Sequence, residues 1–253
     1  MSDQMSILTD LTDGALVVTI NRPEARNALN GEVGQGIVDA LARASDDADI
    51  RCVVLTGAGD RSFCAGLDLK ALARGENLKP VMDGLNALRD FPKPLLGAVN
   101  GACLGGGFEV MMSCDLVVAV ENTPFGLPEV RRGLLAGGGG TRLPQRLPIA
   151  VALELGLTGE PIPAAEALRW GLINRVVPRE ELLPAALELA ARIRAGGPLA
   201  VSATKRLMRA ELGDDEAAMK PVFEAMGTLM GSEDAQEAGR AFAEKRTPVW
   251  KGR

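Results

Sequence analysis

The chain has 253 residues, 24% of them charged and 47% apolar, with a formal net charge of −5. A chain of this length and apolar content buries about 70–75% of its unfolded surface on folding, and it lacks the low hydrophobicity and high net charge of a disordered polymer. It contains no histidine and no tyrosine, which excludes Ser-His-Asp and Cys-His catalysis, a histidine base, histidine-ligated zinc and Ser-Tyr-Lys reductase chemistry, so that acid–base work falls to Asp, Glu, Lys or Cys.

The first segment carries Asp3 and Asp10 but no basic residue before Arg22, the wrong charge for a signal or transit peptide. Runs 5–11 and 15–20 flank Thr12-Asp13-Gly14 and predict a hairpin with an Asp-Gly turn. A helix is predicted from Asn30 to about Ala48, on the spacing of Val33, Ile37, Leu41 and Ala44. A strand at 52–57 completes a β–α–β unit with an expected right-handed crossover. A pattern then recurs: strand, polar-glycine step, glycine-rich turn, helix. Its first copy runs from 52–57 through Cys64-Ala65-Gly66 to a short helix from about Asp68. Its second runs from 95–101 through Gly105-Gly106-Gly107 to a helix from about Phe108. A strand at 115–120, an extended piece at 123–127 and a strand at 173–177 follow. Segments 179–195, 198–211 and 215–245 read as helices, broken at Gly196-Gly197-Pro198 and Gly213. A boundary near 196 divides an α/β core, 1–195, from a helical C-terminal region, 196–253.

Cys52, Cys64, Cys103 and Cys114 form no C-x-x-C pair and read as reduced core thiols. The most apolar stretch, 95–120, is interrupted by Asn100, Glu109 and Asp115, so no membrane span is expected. An acidic chain with two Trp, six Phe and no basic run is not expected to bind nucleic acid. A cytoplasmic enzyme is the expectation.

The two glycine-rich turns are the first candidates for chemistry. A helix N-terminus presents unsatisfied N–H groups and the positive end of its dipole, and glycine lets a ligand approach them. One such turn more often serves packing alone. Two on one plan can aim an N–H each at a single oxyanion. Neither turn matches a P-loop or a dinucleotide fingerprint. Glu109 follows three glycines amid Phe108, Val110, Met111 and Met112, where poor hydration should raise its pKa. Glu129, after Pro128, reads locally as an acid in the first turn of a helix. The run Gly137–Gly140 reads as a flexible or tightly packed turn rather than a cradle, and Arg131-Arg132 and Lys245-Arg246 read as solvated charges.

Five motifs, in order over essentially the whole chain, resemble the enoyl-CoA hydratase/isomerase, or crotonase, family: NRPEARNAL (21–29), SFCAGLDLK (62–70), NGACLGGGFEVMMSCD (100–115), FGLPEVRRGL (125–134) and FAEKRTPVWKG (242–252). The resemblance implies an α/β, crotonase-like spiral of repeated ββα units with a helical C-terminal region that serves oligomerisation and cleft closure. It implies a homotrimer or hexamer (a dimer of trimers), to which an apolar stripe of Val222, Met226, Leu229 and Met230 would contribute. It implies an acyl-CoA thioester substrate, no metal and no separate cofactor, since CoA enters as part of the substrate. The oxyanion donors would be the N–H groups of Leu67 and Gly106. Ala65, Gly66, Asp68, Leu69 and Lys70 would line the CoA cleft, with Arg26 in the loop that packs over the nucleotide. Glu109 and Glu129 would hold one catalytic water, with Gly137 nearby. The implied reaction is reversible syn addition of water to a trans-2-enoyl-CoA, giving a 3-hydroxyacyl-CoA in fatty-acid or related catabolism. Isomerisation, dehydration of a specialised acyl-CoA, and a non-catalytic acyl-CoA- or RNA-binding role are the alternatives. The loop after Gly133 departs from many hydratases: it lacks their proline and glutamine and is one residue shorter, beside the acyl pocket.

Overall fold

Asp13 and Gly14 both take positive φ, 47° and 72°, the conformation of a two-residue hairpin turn whose twist matches its strands. They join β1 (Ile7–Thr12) and β2 (Ala15–Ile20), which pair antiparallel. The structure is a computed structural model that describes residues 5–210, 224, 227, 228 and 230–249. α1 (Gly31–Asp46) starts where the Asn30 side chain accepts from the Val33 N–H at 3.0 Å, which satisfies one of the helix's orphan donors.

β3 (Cys52–Gly57), β5 (Leu95–Val99), β7 (Leu116–Val120) and β10 (Arg175–Val177) continue the sheet beyond β2 in parallel, in the order β1-β2-β3-β5-β7-β10. Their near-continuous apolar runs suit strands covered on both faces. Leu16, Val18, Ile20, Val53 and Leu55 face one core, closed by α1, α3 (Lys79–Asp90) and α4 (Gly106–Ser113). The alternate residues Ala15, Val17, Cys52, Val54, Leu96 and Val118 face α7 (Leu182–Arg194) through Leu182, Ala186, Leu189 and Ala190.

The second sheet positions the site. Its strands are short: β4 (Ser62–Cys64), β6 (Ala102–Leu104), β8 (Pro124–Gly126) and β9 (Ile162–Pro163), in that order. β4, β6 and β8 are parallel to one another. Each follows a strand of the first sheet and precedes a helix or helical turn, so the chain repeats β3-β4-α2 (α2, Leu69–Ala73), β5-β6-α4 and β7-β8 followed by a 3-10 turn at Pro128–Arg132. This is the expected series of ββα units. The segments between the polar-glycine steps and the glycine-rich turns, Ser62–Cys64 and Ala102–Leu104, are therefore themselves strands. α4 also begins two residues before the expected Phe108, because Gly107 lies against the Cys64 carbonyl, which a Cβ there would meet at 2.0 Å. Close packing overrides glycine's poor helix propensity at that point.

α5 (Ile149–Thr158) and α6 (Ala164–Arg169) follow, and Gly196-Gly197 separate α7 from α8 (Pro198–Ala210). Lys205 and Arg209 of α8 both pair with Asp115, at 2.8 Å each. The helix expected over 215–245 appears among the described residues as α9 (Glu233–Glu244), capped by the Ser232 hydroxyl, which accepts from Ala235 N–H. Val222, Met226 and Leu229 of the expected stripe lie outside the described residues, and Met230 is exposed. All four cysteines are buried free thiols, and burial pushes those of Cys64 and Cys114 up to about 12. No helix among the described residues is long and apolar enough to cross a membrane.

Candidate active site

Three parallel strands of the second sheet end side by side, and their exits converge. β4 leads into Ala65-Gly66-Leu67, β6 into Gly105-Gly106, and β8 into Leu127-Pro128-Glu129. The carboxyl ends of parallel strands are where α/β sheets place ligands, because the helix N-termini that follow face the same way. The Gly105 N–H donates to Gly126 O at 2.9 Å and stitches the second exit to the third. The first and second meet at Gly66 and Gly106: a Cβ on Gly66, where φ is +93°, would lie 2.9 Å from Gly106 N. A Cβ on Gly106 would lie 3.5 Å from Leu67 N. The N–H groups of Leu67 and Gly106 are thus neighbours, and neither donates a hydrogen bond among the described residues.

Glu109 sits in the first turn of α4 and is buried, 6% exposed. Phe108, fully buried, meets Phe125 of β8 edge-on at 6.5 Å and locks the helix to the next repeat. Glu109 Oε1 accepts the Gly140 N–H at 3.0 Å, and its Oε2 lies where a Cβ on Gly138 would stand 2.7 Å away. The run Gly137–Gly140, expected as a packed or flexible turn, is instead a cradle for a carboxylate of the chain itself. Gly137 N–H bonds within the loop, to Leu135 O. The burial of Glu109 raises its pKa, and the N–H groups of Gly140, Gly138 and Gly139 offset part of that rise.

Glu129 is half-buried in the turn after β8. Its Oε1 lies 3.1 Å from where a Cβ on Gly105 would stand, and Gly105 has φ +57°. Its Oε2 is buried with no hydrogen-bond partner. Burial, and then the charge of Glu109, push its pKa up to about 7. Two carboxyl groups that raise each other's cost of ionisation share one proton near neutral pH. Backbone N–H donors favour the ionised form at Glu109, whereas Glu129 Oε2 has no such partner.

The expected CoA-cleft residues divide into two sets. Arg26 and Lys70 are exposed, with side chains free of hydrogen bonds among the described residues. Ala65, Leu67 and Leu69 are half-buried, and Ala65 N–H donates to Arg26 O at 3.1 Å. Asp68, by contrast, turns inward: Oδ1 caps α2 by accepting from Lys70 N and Ala71 N, and Oδ2 pairs with Arg22 at 2.9 Å. Local sequence reading missed Gly105, Gly138 and Gly140 as contacts of the two carboxylates. The one available signal was a four-glycine run eight residues after Glu129, since a run that dense permits backbone approach that any side chain would block.

The family model described as enoyl-CoA hydratase/isomerase matches residues 10–253. The chain is 41% identical over 266 residues to a carnitinyl-CoA dehydratase of Proteus mirabilis, covering all of both chains. Among solved structures it resembles a carnitinyl-CoA hydratase from Mycobacterium avium, with 48% identity, a TM-score of 0.94 and coverage of 99% of this chain and 100% of that one. It also resembles an enoyl-CoA hydratase from Mycobacterium tuberculosis H37Rv, with 43% identity, a TM-score of 0.78 and the same coverage.

Proposed function

The chain belongs to the enoyl-CoA hydratase/isomerase family, and from that premise we propose that it is a hydro-lyase that adds water reversibly across the double bond of a trans-2-enoyl-CoA. The observation that carries this reading is the buried, unpartnered Glu129 Oε2 beside a second buried carboxylate. A lone glutamate suffices to move a proton between carbons. Hydration needs one group to take a proton from water and another to deliver one to carbon.

In the proposed reaction Glu109, whose ionised form the Gly140 N–H favours against the cost of burial, takes a proton from water as the oxygen attacks C3. Glu129, protonated near neutral pH, delivers its proton to C2 on the same face. Negative charge builds on the thioester oxygen in between, and the Leu67 and Gly106 N–H groups face it. Each such donor contributes about 3–4 kcal/mol in other oxyanion holes. CoA arrives with the substrate, and the exposed Arg26 and Lys70 are the cations proposed to meet its phosphates. The same parts run in reverse as a dehydratase. The relatives described as carnitinyl-CoA dehydratases favour that direction on a specialised 3-hydroxyacyl-CoA as a second reading. A homotrimer or a dimer of trimers in the cytoplasm is proposed as the working form.

The test follows the absorbance of the conjugated thioester. It should fall when the protein meets enoyl-CoAs of increasing chain length, and rise with carnitinyl-CoA if the specialised reading holds. Turnover of 3-enoyl-CoA alone would sink both readings in favour of isomerisation.

A further inference from the structure

Gly106 N–H is aimed by the first turn of α4, but Leu67 lies in a loop between β4 and α2, and something else must hold its N–H on target. Leu29 forms an isolated parallel bridge with Leu67. Leu29 N–H donates to Gly66 O at 2.8 Å and Asp68 N–H donates to Leu29 O at 2.9 Å. In a parallel bridge one residue bonds the two neighbours of its opposite number, so the Leu67 N–H is left pointing away from Leu29, on the side where Gly106 lies. One bridge of two bonds is a weak anchor by itself.

Arg22 spans both sides of it. Its NH1 donates to Ala28 O at 2.7 Å, beside Leu29, and its NH2 donates to Asp68 Oδ2 at 2.9 Å, beside Leu67. The two side chains are only 17% and 10% exposed. The Arg22 backbone N–H is in turn fixed by Asn27 Oδ1, and Asn27, wholly buried, donates to Ala58 O and Ser62 O. Burial works against the Asp68 charge, yet the N–H of Ala71, the guanidinium of Arg22 and the N–H of Lys70 outweigh it and hold the carboxyl below the usual carboxylate range.

We propose that Arg22 and Asp68 are positioning residues of the oxyanion hole: the planar guanidinium staples the segment 28–29 to the segment 67–68 and so fixes the direction of the Leu67 N–H. The proposal rests on the hydro-lyase reading of the site. It also gives Asp68 a task different from contact with CoA. A bidentate bridge between a carbonyl and a carboxylate is within reach of Arg and not of Lys, whose ammonium is a point charge.

The experiment pairs kinetics with a spectroscopic reading of the hole. A conjugated enoyl thioester bound to the parent protein should absorb at longer wavelength than in water, because the two N–H groups polarise its carbonyl. Asp68→Asn keeps an acceptor for the α2 cap and loses the ion pair, and Arg22→Lys keeps the charge and loses the fork. Each should cut kcat about tenfold, in line with the cost of a misplaced donor, shrink the absorbance shift, and leave KM within about twofold. Asp68→Ala, which loses the cap as well, should lose more. If Asp68→Asn and Arg22→Lys keep the parent's shift and kcat while only melting temperature falls, the pair merely stabilises the loop and the proposal is overturned. If the parent itself neither shifts the thioester band nor hydrates it, the hydro-lyase reading fails first and takes the proposal with it.

Discussion

Glu129 is costly to keep, and the cost can be measured. Its folded-state pKa of about 7 lies above the 4.5 of an ordinary glutamate. Below pH 4.5 folded and unfolded chains both hold the proton and stability is unaffected. As pH rises toward 7 the unfolded chain ionises first, so stability is lost through that window and the loss is complete above it. Glu129→Gln should therefore stabilise the protein at pH 8, by about 2–3 kcal/mol, with the gain vanishing near pH 4. Urea unfolding at the two pH values checks this. A mere helix-terminus acid would predict a small loss instead. In activity the proposed mechanism, in which both groups serve one water, has the same change cut kcat by about 10²–10⁴, as should Glu109→Gln, with the double variant losing far less than the product of the singles. The parent's hydration rate should fall above about pH 7, where Glu129 gives up its proton. A parent whose rate climbs through pH 8 would put the proton on the wrong glutamate.

At the scale of elements, the helix starts were legible because short polar side chains mark them. Asn30 and Asp68 each accept from the N–H groups that follow, whereas the start marked by Ser232 lay unread inside the helix expected over 215–245. The long strands were legible as apolar runs. The three-residue strands β4 and β6 were not, since Ser62–Cys64 and Ala102–Leu104 carry no periodicity and pair only because the repeats stack, whereas β8 coincides with the extended piece expected at 123–127. Glu109 stood out by its apolar neighbours. Glu129 did not, because its burial and its partner come from an element 20 residues away in the chain, and the family resemblance alone singled it out. The glycine cradle was misread for the same reason: Gly140 reaches Glu109 across 31 residues. Gly138→Ala tests that cradle. Its Cβ would stand 2.7 Å from Glu109 Oε2 and 2.9 Å from Leu85 Cδ1, so the carboxylate must swing away. We expect kcat to fall at least about tenfold, on the scale at which a misplaced group costs rate. Gly139 makes a poor control because its φ is +139°, whereas Gly197, with nothing within 4 Å of its Cβ position, should accept alanine with normal turnover.

The whole molecule carries a net charge of −5 and must still attract a polyanionic substrate, so local cations have to reverse the overall field. Arg26→Ala and Lys70→Ala should raise KM more than they lower kcat, and the effect should fade as salt screens it over about 8 Å at physiological ionic strength. Unchanged KM in both would move the phosphate contacts elsewhere. Assembly is the larger question at this scale. α5 exposes Ile149, Leu153 and Leu157 at 59%, 48% and 72%, one face of a helix at spacings of four. A second copy covering that face would also support the site, because Arg131, two residues after Glu129, donates to Thr158 O at the end of α5 at 2.7 Å and to Glu160 at 2.8 Å. α9 packs on the same turn. Light scattering at micromolar concentration should give a mass that is a multiple of three chains. Leu153→Lys with Leu157→Glu should lower that mass and also lower kcat, since the turn that carries Glu129 loses the backing of α5. A parent that runs as a clean monomer with full activity would show that the exposed face of α5 serves neither assembly nor the glutamate.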